Sequence, residues 1–140
     1  MQVAEGSPYL PSGESSPLLN QIRQTGGALP VFGPDIPIQD LALASRASGN
    51  EIALYQDLRS GQHFLTEGSS VTVEVPINSK LILHVQPGDS ILSIQPSVLD
   101  RQALGILGQD SSIIINSAGT LMIRFGTTNA LDGEIEEIRG

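Results

Sequence analysis

The pattern of apolar and polar positions changes character near residue 41. Beyond that point the chain reads as short strands. Glu51-Ile52-Ala53-Leu54-Tyr55 is one candidate. Val71-Thr72-Val73-Glu74-Val75 alternates, with the valines on one face and Thr72 and Glu74 on the other. Pro76 and Asn78 break it. Leu81-Ile82-Leu83-His84-Val85 follows, and Pro87-Gly88-Asp89 makes a turn. Ile91-Leu92-Ser93-Ile94 is a further strand candidate, ended by Pro96. Ser97 with Asp100 either caps a single helical turn before Gly105 or belongs to a connection, and residues 103–107 form a short apolar piece. Ile113-Ile114-Ile115 and Leu121-Met122-Ile123-Arg124-Phe125 are joined by Asn116-Ser117-Ala118-Gly119, a strong hairpin signal. Residues 132–138 alternate weakly, as an edge strand or a tail. Closely spaced turn signals predict an all-β domain, a small β-sandwich or β-barrel-like fold over residues 41–140.

Residues 1–40 have a different texture. Pro8, Pro11, Pro17, Pro30, Pro34 and Pro37 crowd there, with Gly6, Gly13, Gly26, Gly27 and Gly33 among them. Proline lacks a backbone donor and glycine adds chain entropy, so a regular ladder is disfavoured. Charges are few, yet Leu18, Leu19, Ile22, Val31, Phe32, Ile36 and Ile38 are apolar, which a solvated linker does not need. The segment therefore reads as an extended Pro/Gly-rich arm, ordered by lying on something else. One short helix interrupts it. Ser16 is the N-cap, Pro17 takes the first helical position, and Gly26-Gly27 stops it. Leu18, Leu19 and Ile22 share its apolar face. The reading leaves two possibilities for the arm: it folds back on its own domain, or it binds a partner in trans. On the second, deleting residues 1–37 leaves a folded domain that no longer binds.

Composition narrows the function. The chain has 140 residues, the length of one domain, and a net charge of -8. That charge opposes nucleic acid and anionic membrane as partners. With no cysteine there is no disulfide framework or thiol nucleophile. Aromatics are only 4%, which argues against sugar or base stacking. The N-terminus lacks a basic region followed by an apolar run, so no secretory signal is expected, and synthesis in a host cytoplasm fits. No apolar stretch approaches the ~20 residues of a membrane helix.

Candidate chemistry is sparse. Gly88-Asp89-Ser90-Ile91 resembles the opening block of GDS-type esterases and lipases, but no histidine follows His84 to act as base. His63 and His84 are the only imidazoles, and the paired histidines of a cupin-like metal site are absent. His84 is expected on the face opposite Leu81, Leu83 and Val85, directed to solvent or an interface. Asp132, Glu134, Glu136 and Glu137 could gather a hard cation, but such a run is more often a solvated face. No phosphate-binding glycine loop occurs. The sequence predicts no catalytic residue, no metal, no cofactor and no small-molecule substrate.

Assembly remains. Charged residues are 16% of the chain, below the ~25% of an ordinary domain. Gly105-Ile106-Leu107, then Ser112 to Ile115, then Gly119-Thr120-Leu121-Met122-Ile123 resembles the late strand order of lambda-type capsid decoration (cement) proteins of tailed bacteriophages. The resemblance covers about twenty residues and the layout of the arm. It implies a structural virion protein without catalysis. Such a protein sits on the outer capsid surface as a homotrimer that stabilises the shell by binding the major capsid protein or other shell subunits. Leu18, Leu19, Ile22, Val31, Phe32, Ile36 and Ile38 of the arm are the expected partner-binding residues. The alternative is a ligand-binding β-sandwich, of carbohydrate or adaptor type, in a phage tail or other assembly. It predicts a monomer with a pocket near His84 or Tyr55.

Overall fold

The computed structural model describes residues 10–139. Gly6 and Pro8 of the expected arm lie outside them. The chain is strand-rich, but its strands form one mixed sheet rather than two facing sheets. In chain order the elements are α1 (Pro17–Gln24), β1 (Ala28–Val31), α2 (Ile38–Ser48), β2 (Ile52–Asp57), β3 (His63–Glu67) and β4 (Ser79–Gln86). A 3-10 turn (Ile91–Ile94), α3 (Val98–Leu107), β5 (Ser111–Asn116), β6 (Leu121–Gly126), a second 3-10 turn (Asn129–Leu131) and β7 (Glu136–Glu137) complete the order. The strands lie in the order β1-β3-β2-β4-β5-β6-β7.

Every neighbouring pair is antiparallel except β4 and β5. A parallel neighbour requires a long crossover, and here residues 87–110, with α3 inside them, supply it. Helix α3 thus covers one face of the sheet. Helices α1 and α2 cover the other, packing Leu19, Ile22, Leu41 and Ala44 on Ile52, Leu54, Leu65, Leu83, Val85 and Ile115. On the α3 face, Ile94 and Leu104 pack with Ile114, Ile123 and Phe125.

The segment expected as an extended arm contributes a helix and an edge strand to this sheet. Helix α1 lies where its caps put it: Ser16 Oγ accepts from Leu19 N at 3.0 Å. Leu19 and Ile22 are buried in the chain's own core, whereas Leu18, Val31, Ile36 and Ile38 are packed partly against it. Phe32 is fully exposed. Residues 28–31 pair with β3 despite Pro30, because β1 is an edge strand and needs hydrogen bonds on one side only. The expected boundary after residue 40 falls inside α2.

Two strand expectations give way to other structure. Residues 71–75 alternate but join no strand ladder, since their chain neighbours β3 and β4 each already have strands on both sides. Residues 91–94 form a 3-10 turn, started by the Ser90–Ser93 capping box. Residues 103–107 are helical: Ser97 and Asp100 form a full capping box, and α3 runs through Gly105 to a left-handed Gly108. The β5–β6 hairpin is present as read, with Gly119 at φ 71 and Asn116 Oδ1 accepting from Thr120 N and Leu121 N.

Candidate functional site

A cleft of about 380 Å³ opens on the α3 face. One wall is residues 72–75 and Ile77; the other is α3, through Leu99, Gln102, Ala103 and Ile106. Leu81, His84 and Asp100 also line it. The wall at 72–75 is the alternating valine segment, used here as an unpaired extended stretch.

A bulge in β4 decides what lies at the floor. Leu54 pairs with Leu83, but Tyr55 pairs with Leu81, so Ile82 is the extra residue. The bulge moves Leu81 onto the same face as His84, and both reach the cleft. Without it, strict alternation would put Leu81 with Leu83 and Val85. His84 itself is buried at 2% exposure rather than directed to solvent. It stands edge-on to Phe125, with ring centroids 6.0 Å apart.

Two segments bring acids to this histidine. Glu51 precedes β2, and its backbone extends the β2–β3 ladder through Gly68 N and Ser69 O. Asp100 comes from the first turn of α3, at the end of the sheet where β4 finishes. His84 Nε2 lies 3.5 Å from Asp100 Oδ1 and 3.8 Å from Glu51 Oε1. Asp100 Oδ2 is already engaged, accepting from Ser97 N at 2.8 Å and Gln86 Nε2 at 3.0 Å. Gln86 Nε2 also lies 3.2 Å from His84 Nε2. An amide nitrogen only donates, so Nε2 accepts and the ring proton is on Nδ1. Glu51 Oε1 and His84 Nδ1 are buried without a hydrogen-bond partner.

The electrostatics follow from burial. Loss of solvation, with the Asp100 charge adding to it, pushes the Glu51 carboxyl up to about 8. Burial lowers the His84 pKa, against the opposing pull of Asp100. At neutral pH the histidine is therefore neutral, and its separations from the acids are not ion pairs. The group offers one imidazole and two carboxylates, of which His84 and Asp100 line the cleft and Glu51 stands behind them.

No family model matches this chain, and neither a curated protein nor a solved structure matches it significantly. The site stands on its own geometry.

The other candidates separate. Ser90 starts the 3-10 turn and its backbone N donates to Ser93 Oγ. Asp132 is held by Arg101, with both carboxylate oxygens at 2.8 Å. Glu136 and Glu137 are exposed on β7. Among the described residues no helix is long and apolar enough to cross a membrane. Sequence reading missed the Glu51–His84–Asp100 group because its members are far apart along the chain. The one signal was a histidine and a glutamate within otherwise apolar strands.

Proposed function

We propose that this chain is a structural binding protein without catalysis, which decorates and cements a capsid shell as a homotrimer bound to the major capsid protein or other shell subunits. The observation that carries the reading is the exposed apolar surface of α3, two of whose residues, Leu99 and Ile106, also wall the cleft. Val98, Leu99 and Ile106 are 71%, 62% and 71% exposed, whereas only Leu104 of that helix is buried. A helix normally turns its large apolar residues inward, and exposed ones gathered on one element suit a partner surface. Exposed Phe32, from the segment first read as an arm, supports the same reading. The low charge density and the hairpin resemblance favour a shell as the setting.

The test is size-exclusion chromatography with light scattering at two concentrations, on the intact chain and on Ile106→Asp. The expected result is a mass of three chains that falls toward one in the variant. A monomer at both concentrations overturns the assembly reading.

A second reading, the ligand-binding module, is favoured by the cleft beside His84. Its volume falls within the usual ~300–1,000 Å³ of small-molecule sites. Tyr55, the other residue expected near a pocket, is buried and stacked on Phe64 with centroids 5.5 Å apart.

A further inference from the structure

We propose that Glu51, His84 and Asp100 form a binding site for one divalent transition-metal cation of the zinc class, with its open coordination position toward the cleft. This inference does not depend on the shell-binding reading.

The donors are arranged for it. One oxygen of each acid and one ring nitrogen lie within 4.8 Å of one another. Bonds of about 2.0–2.1 Å in a tetrahedron put neighbouring donors about 3.3 Å apart. The observed 3.5 Å and 3.8 Å from His84 Nε2 need only a small contraction. The oxygens are the free ones of their residues, and His84 Nε2 would exchange its contact with Gln86 Nε2 for the ion. Asp100 has committed Oδ2 to Ser97 and Gln86, which leaves Oδ1. His84 carries its proton on Nδ1, which leaves the Nε2 lone pair. Glu51 Oε1 has no partner at all, although its side chain is only 5% exposed.

That buried, unpartnered oxygen is the independent sign of a missing ligand. A buried carboxylate atom without a donor is costly, and such atoms ordinarily have partners. A divalent cation would satisfy it, displacing the Glu51 proton, and would then offset the charge of both carboxylates. Gln86 would keep its hydrogen bond to Asp100 Oδ2, and so orient that ligand from outside.

The donor set selects the class of ion. One imidazole with two carboxylates suits zinc, cobalt or manganese, and no thiolate is present to favour copper(I). Calcium takes six to eight oxygens, and three protein donors with one nitrogen among them do not serve it.

The experiment uses the full chain, stripped with chelator. Zn²⁺ is titrated by calorimetry and Co²⁺ by visible absorption, with Ca²⁺ as a competitor. The expected result is one ion per chain, a cobalt spectrum of low-coordinate type, no competition by calcium, and a thermal midpoint raised by zinc. Glu51→Gln keeps the side-chain volume and should fold, as checked by circular dichroism, while losing roughly a hundredfold or more in zinc affinity. Failure of the stripped wild-type chain to take up zinc or cobalt overturns the proposal, whatever the variant does. Equal binding by wild type and a folded Glu51→Gln overturns it too, and assigns the ion to exposed acids such as Glu136 and Glu137.

Discussion

Glu51 Oε1 and His84 Nε2 face each other at 3.8 Å, and both side chains are sealed from solvent. In the metal-free chain this is a protonated acid beside a neutral imidazole, with the Asp100 carboxylate next to both. The Glu51 carboxyl titrates at about 8, above the 4.5 of an unburied glutamate. The folded state then keeps a proton that the unfolded chain has released, so stability falls as pH rises through that interval. Glu51→Gln removes the cost. In chelator at pH 8 the variant is expected to be more stable than wild type by on the order of 1–3 kcal/mol, and its stability should vary less with pH. Urea unfolding at pH 5 and pH 8 measures both quantities.

Arg101 fastens α3 to the end of β6. Its guanidinium donates to both oxygens of Asp132 and to the Gly126 carbonyl, and Asp132 Oδ1 accepts from Gly126 N. The bond to Arg101 holds the Asp132 carboxyl below its ordinary 3.8. A lowered acid contributes stability that is complete above the unfolded value and lost as pH falls through the folded one. Asp132→Asn should therefore destabilise by about 1–3 kcal/mol at neutral pH, with the difference from wild type shrinking below pH 3.8. Chemical denaturation across the acid range checks the sign.

Leu19 and Ile22 stand in the core between α1 and the sheet, at 5% and 2% exposure. Replacing either with alanine should cost about 2–5 kcal/mol, measured by thermal or urea unfolding. Removing residues 1–37 takes away α1 and β1 together. Circular dichroism of that truncation is expected to show a destabilised fold, not an intact domain that has merely lost a partner.

Ser97 starts α3, with its hydroxyl accepting from Asp100 N at 3.0 Å. Ser97→Ala should lower stability by about 1 kcal/mol. It should also weaken zinc affinity, because Ser97 N and the capping geometry position Asp100 Oδ2. Calorimetry on Ser97→Ala reads the second effect separately from unfolding.

Local chemistry was enough to place several elements. The Ser16 cap and Pro17 started α1, apolar runs bounded by turn residues marked β4, β5 and β6, and Asn116 to Gly119 closed the hairpin, because each depends on neighbours within a few residues. Long-range pairing decided the rest. Whether 71–75 becomes a strand depends on a free side of a neighbouring strand, and β3 and β4, which flank it in the chain, have none. Whether Leu19 and Ile22 meet a partner or their own sheet depends on what β3 and β4 leave uncovered. Most of all, the bulge at Ile82 and the cap of α3 set which face His84 shares and which acids reach it. Glu51, His84 and Asp100 each look ordinary along the chain. Only the pairing of β2 with β4 and the crossover through α3 bring them within 4.8 Å of one another, and only burial gives that meeting its electrostatic consequence.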